Sequence, residues 1–96
     1  MNLSNKRVLI TEGASGIGLA TAHALCTKGA TIFITRRRAH ALKAALAQLR
    51  ATEAKAGSIA ADIATDEGRP ATLSAALSSL GGLDILINNA GGVRAG

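Results

Sequence analysis

The sequence predicts an α/β protein built on a doubly wound parallel sheet of four strands. Short apolar runs alternate with longer stretches of helical period, the connections between them are brief, and a glycine-rich turn follows the first run directly. A β-α-β-α-β-α-β order with short links leaves little besides parallel strands joined by right-handed crossovers, with helices on both faces.

The first strand is "RVLIT" (7–11), a continuous apolar run bounded by charge and glycine, as suits a strand buried on both sides. The first helix follows in "GIGLATAHALCTKGA", with Ile17, Thr21, Ala24, Leu25 and Lys28 at helical spacing and Gly29 stopping it. "TIFIT" (31–35) is β-branched and apolar, hence the second strand. The second helix, in "AHALKAALAQLRATEAKAG", sets Leu42, Ala45, Leu46 and Leu49 on one face and Lys43, Gln48 and Arg50 off it. "SIAAD" (58–62) reads as a weaker third strand. Pro70 suits the first turn of a third helix ending at Leu80 before Gly81 and Gly82, and "DILIN" (84–88) is the fourth strand.

The 96 residues suffice for a single small domain, and 48% apolar content excludes a disordered chain. The apolar residues are almost all Ala, Leu and Ile, which suits thin helices on a sheet. A net charge of +5 raises a nucleic-acid reading. Against it, the chain has one aromatic residue, so no platform for stacking bases, and its one dense basic cluster is Arg36-Arg37-Arg38. The single cysteine, Cys26, reads as a buried thiol in a reducing compartment. No segment reads as a signal peptide or a membrane span, so a cytoplasmic location is expected. His23 and His40 lie within helical segments, and no cluster of ligand residues suggests a metal.

The stretch "TEGASGIG" (11–18) carries the main functional signal. In a doubly wound sheet, ligands bind beyond the C-terminal strand ends, where the first βα turn feeds a helix whose free N–H groups suit a pyrophosphate. The loop resembles the Thr-Gly-x-x-x-Gly-x-Gly loop of the short-chain dehydrogenase/reductase family, with Thr11, Gly16 and Gly18 in place. Asp62 after the third strand and "NNAG" (88–91) after the fourth agree with that family in order. The resemblance implies a Rossmann-like sheet and a nicotinamide dinucleotide held by Thr11, Gly13, Ser15, Gly16, Ile17 and Gly18 in the loop. It also implies that Asp62 and Ile63 border the adenine, and that Asn89, Ala90 and Gly91 border the ribose side of the cleft.

An acidic residue at the end of the second strand favours NAD, whereas arginine accommodates the 2′-phosphate of NADP. Arg36 stands at that strand end with Arg37 beside it and no acid nearby, so NADP(H) is the expected cofactor. Glu12 departs from the family's loop by replacing its first glycine. A side chain at φ > 0 costs roughly 1–2 kcal/mol, and a carboxylate ~4 Å from a phosphate charge adds about 4 kcal/mol at an effective dielectric near 20. Gly13 can take over the bend and relieve the first of these. Glu12 is therefore expected to weaken cofactor binding.

Catalysis in the resembled family uses a Ser, a Tyr-x-x-x-Lys pair and an Asn on the helix after the fourth strand. This sequence has no tyrosine, so no catalytic residue carries over. The expected function is that of an NADP(H)-dependent oxidoreductase represented by its cofactor-binding half (1–96), truncated before the catalytic half. The rivals are a catalytically inactive nucleotide-binding remnant and, below it, a small basic nucleic-acid-binding protein. The fourth strand is expected to form an apolar sheet edge through which the chain self-associates.

Overall fold

The computed structural model describes residues 3–12, 16–37, 39–52 and 54–88. The elements run β1 (Arg7–Thr11), α1 (Gly16–Thr27), β2 (Thr31–Arg36), α2 (Ala39–Arg50), β3 (Ala56–Ala60), α3 (Gly68–Leu80) and β4 (Ile85–Asn88). Among the described residues the sheet is four-stranded, in the order β3-β2-β1-β4, and every pairing is parallel. The chain therefore winds outward from β1 to β3 and returns on the other side of β1. The reversal lies between β1 and β4, the point at which doubly wound sheets open a crevice at their C-terminal edge.

Strand alternation divides the core into two layers. Val8, Ile10, Ile32 and Ile34 form one face with Ala22, Cys26, Leu42, Ala45 and Leu49 of α1 and α2, flanked by Ile85 and Ile87. Leu9 and Phe33 form the other with Ala76 of α3, flanked by Ile59, Leu80 and Leu83. The first layer is the larger, and Val8, Ile10, Ile32, Ile34 and Leu49 in it are completely buried.

The structure corrects three details of the sequence reading. First, α1 buries Gly18, Ala22 and Cys26 rather than a stripe starting at Ile17, which is 79% exposed. Apolar residues are spread around this helix, so periodicity does not single out the buried face. The small residues win because they let the helix lie close to the strands. Second, β3 is Ala56–Ala60, earlier than "SIAAD". Gly57 belongs in it because a Cβ there would lie 3.1 Å from both the Phe33 ring and Ser79 Oγ, so only a minimal residue lets α3 approach. Third, α3 starts at Gly68, so Pro70 still falls within its first turn, where no N–H is required. Its C-terminus ends as expected, with Gly81 in the left-handed conformation (φ 77°) donating its N–H to Leu77 O at 2.8 Å.

Candidate functional site

The site is assembled at the C-terminal ends of β1, β2 and β4. Thr11 is in register with Thr35 on one side and Asn88 on the other. Thr11 Oγ1 donates to Asn88 Oδ1 at 2.9 Å, tying the two strands that flank the reversal point. Thr11 and Thr35 are buried, 5% and 1% exposed, so their hydroxyls are structural groups of the crevice floor. Thr35 is a site residue that the sequence reading missed. Its signal was the period-2 pattern of "TIFIT", which places it level with Thr11 on the α3 side.

Beyond Thr11 the chain bends at Glu12, which adopts φ 57°, and the Glu12 N–H points at Thr35 Oγ1 at 3.4 Å. The left-handed position thus falls at Glu12 itself. Gly13 and Ser15 themselves lie outside the described residues. At the start of α1, Gly16 has φ 58°, and a Cβ placed on it would meet nothing within 4 Å. The requirement for glycine at this position is therefore conformational, and among the described residues nothing crowds that side of the helix start. The first N–H groups of a helix have no partner within it, so Gly16, Ile17 and Gly18 present donors and the positive end of the helix dipole to that space. Gly18 is buried in the helix and Ile17 is exposed.

Arg36 ends β2, and its Nη1 lies 3.9 Å from Glu12 Oε2. This corrects the expectation of a basic corner free of acid: the acid comes from the end of β1, which register sets beside the end of β2. The two side chains are 36% and 23% exposed, respectively. Oε2 itself is shut off from solvent and accepts no hydrogen bond from any described residue. Arg37 follows at the surface, exposed.

The turn after β3 forms the third part. Ala61 N–H donates to Arg36 O at 2.9 Å, the final bond between this segment and β2. The chain then folds back on Asp62, whose Oδ1 accepts the Ala64 N–H at 2.9 Å and whose carbonyl accepts the Thr65 hydroxyl at 2.8 Å. Thr65 Oγ1 in turn accepts the Gly68 N–H at 2.8 Å, joining this turn to the start of α3. Asp62 and Ile63 are both half-buried here. The strand-end turn and a ligand contact are compatible uses of Asp62, because a carboxylate has about four acceptor positions.

Of the residues expected at the site, Thr11, Gly16, Ile17, Gly18, Arg36, Arg37, Asp62 and Ile63 fall on segments at this one end of the sheet. Asn89, Ala90 and Gly91 lie outside the described residues. The opposite end carries a cleft of about 670 Å³ lined by Asn5, Cys26, Thr31, Thr52 and Lys55 among others. Burial there pushes the Cys26 thiol up from its ordinary pKa against a weaker opposing effect of a Thr52 hydrogen bond, which makes it a poor nucleophile. Among the described residues no group of His, Cys, Asp and Glu could hold a metal, and no helix is long and apolar enough to cross a membrane.

Comparison with known proteins agrees with this geometry. The family model described as short chain dehydrogenase matches residues 6–96. The chain is similar to the hydroxysteroid 11-beta-dehydrogenase 1-like protein of Xenopus tropicalis, 39% identical over 88 residues, which cover 91% of this chain and 31% of that protein. It superposes on a hydroxysteroid dehydrogenase from Escherichia coli with a TM-score of 0.90 at 32% identity, covering 95% of this chain and 39% of that one. NAD+-bound xylitol dehydrogenase gives a TM-score of 0.86 at 29% identity, covering 90% of this chain and 33% of that one. The chain thus spans about a third of the length of the curated relatives it matches, 34%, 31% and 30% in three of them.

Proposed function

The chain belongs to the short-chain dehydrogenase family, and from that premise we propose that residues 1–96 are the cofactor-binding half of an NADP(H)-dependent oxidoreductase. Such an enzyme transfers a hydride between the nicotinamide and an alcohol or carbonyl substrate. The observation that carries the reading is Arg36 at the end of β2, beside the crevice and followed by Arg37. A guanidinium forks onto a phosphate, whereas ribose hydroxyls alone have little use for it.

The residues present fit the dinucleotide. A Cβ at Gly16 would meet nothing within 4 Å, which supports room for a pyrophosphate against the N–H groups of α1. Thr11 and Asn88 brace the crevice floor, Asp62 takes the adenine amino group, and Ile63 lies against the ring. Gly13, Ser15, Asn89, Ala90 and Gly91 complete the cradle in this reading. Glu12, at the end of β1, opposes the ligand's phosphate charge.

The chain offers these groups for binding and orientation, and no tyrosine to act as the proton donor. This favours a second reading, in which residues 1–96 alone bind the dinucleotide without turning it over. The buried free thiol suits a reducing, cytoplasmic setting. Titration of the chain with NADPH and with NADH tests the main reading: NADPH binds more tightly, and equal dissociation constants overturn the NADP assignment. NADPH oxidation by the chain with carbonyl substrates would overturn the reading of binding without turnover.

A further inference from the structure

We infer that the Glu12 carboxylate competes with the 2′-phosphate of the cofactor for the Arg36 guanidinium, which makes Glu12 a specificity-determining residue acting in favour of the unphosphorylated dinucleotide. The inference rests on the reading of Arg36 given above and adds a residue of opposite effect to the same corner.

Three observations lead to it. The left-handed backbone at Glu12 (φ 57°), with its N–H directed to the buried Thr35 hydroxyl, fixes where this side chain leaves the main chain. Its carboxylate then crosses from the end of β1 to the end of β2 and stops 3.9 Å from Arg36 Nη1. That separation is a charge contact, longer than the 2.7–2.9 Å or so of a charge-assisted hydrogen bond. Lastly, Oε2 is buried without a hydrogen-bond partner among the described residues, a costly state for a carboxylate oxygen.

An acceptor buried without a donor is incomplete, and the two cofactors differ in what they bring to it. A free ribose 2′-hydroxyl donates a hydrogen bond to a carboxylate, the same chemistry by which an acid at this corner selects NAD. A 2′-phosphate has only acceptor oxygens and negative charge, so it gains from Arg36 and is repelled by Glu12. The corner therefore recognises both forms with opposite residues. Arg36 and Arg37 favour the phosphate, and Glu12 narrows their margin.

The alternative is that Glu12 merely repels the pyrophosphate. That effect would be the same for both cofactors, and this decides the experiment. Dissociation constants of NADPH, NADH, adenosine 2′,5′-bisphosphate and AMP are measured for the chain, for Glu12→Gln, for Arg36→Leu and for the double variant, with circular dichroism confirming that each is folded. Glutamine keeps the size and the strained backbone and removes only the charge. The expected result is that Glu12→Gln tightens NADPH and the bisphosphate at least tenfold, leaves NADH and AMP unchanged or weaker, and changes these ratios less than threefold when Arg36 is leucine. Equal tightening of all four ligands, unchanged ratios, or a full shift that persists without Arg36 overturns the inference while leaving the dinucleotide reading intact. Failure of every protein to bind any of the four overturns both.

Discussion

Arg7 and Asp84 grip each other across 77 positions of sequence: Asp84 Oδ2 accepts both the Arg7 main-chain N–H at 2.8 Å and the Arg7 Nε at 2.9 Å, and the Asp84 N–H returns a bond to Arg7 O at 2.9 Å. The pair aligns the first residue of β1 with the residue preceding β4, and so fixes the register that sets Thr11 opposite Asn88 at the far end of the same strands. Side-chain and main-chain hydrogen bonds from Arg7 hold the Asp84 carboxyl down at about 2, against an ordinary value of 3.8. A carboxyl whose pKa is depressed in the folded state contributes stability above its unfolded pKa and loses it as pH falls through the folded one. The chain should therefore lose stability progressively from about pH 4 to about pH 2. Asp84→Asn should lower Tm at neutral pH and remove this part of the acid dependence, as pH-dependent thermal melts will read. An unchanged acid limb in Asp84→Asn would refute the assignment.

Replacing Glu12 by glycine should both stabilise the fold and improve binding. Glycine accepts φ 57° without the roughly 1–2 kcal/mol that a side chain costs there, and a gain of about 1 kcal/mol raises Tm by about 4–8 °C in a domain of this size. Glu12→Gln keeps the strain and loses only a partly exposed ion pair worth at most about 1 kcal/mol, so its Tm should not rise. Differential scanning calorimetry separates the two. Glu12→Gly should also tighten NADPH at least roughly tenfold, about 1.4 kcal/mol, in an equilibrium titration.

A methyl group at position 68 should disturb, from a distance, the turn that the proposed function assigns to the adenine. Gly68 is buried, and a Cβ on it would overlap the Asp62 carbonyl oxygen and lie 2.8 Å from Thr65 Oγ1. These are the atoms that shape the turn carrying Asp62. Gly68→Ala should cost about 1–3 kcal/mol, the usual range for overpacking, read as a lower denaturation midpoint. AMP affinity should fall with it.

The outer edge of β4 should make the chain self-associate. Among the described residues no strand pairs with that edge, and Leu86 on it is 57% exposed, with Leu73 and Leu77 of α3 exposed by 47% and 42%. Leu86 is in register with Leu9 on the α3 side of the sheet, so the edge and the uncovered apolar face coincide. Exposed, flat, apolar edges pair with other chains. Sedimentation velocity should show oligomers of the chain that Leu86→Lys disperses. A monomer at high concentration, with a sharp and reversible melt, would contradict this.

Element order and type are legible in the sequence because buried parallel strands are short apolar runs and because Gly29, Pro70 and Gly81 mark helix boundaries. The α2 face is legible too, since Leu42, Leu46 and Leu49 share one side of the helix with Ala45 while Lys43, Gln48 and Arg50 lie off it. The face of α1 is not, because closeness to the sheet selects Gly18, Ala22 and Cys26 by smallness rather than by hydrophobicity. At the site, the glycine turn and the arginine after β2 are legible as local motifs. The contact of Glu12 with Arg36 joins residues 24 positions apart and exists only through strand register.

The row of small residues along α1 has a mechanical consequence for a site that Ala22 and Cys26 never touch. Gly18, Ala22 and Cys26 recur every four residues, about 6 Å of helix rise, and act as a keel on which the helix rests against the strands. A bulkier side chain at Ala22 would be a wedge under that keel, tipping the helix about its far end and swinging its amide end away from the crevice. Positions of donors to an anion matter at the scale of tenths of an ångström. The aim of the proposed phosphate cradle is thus set a full turn behind it, by what α1 lacks rather than by what it presents.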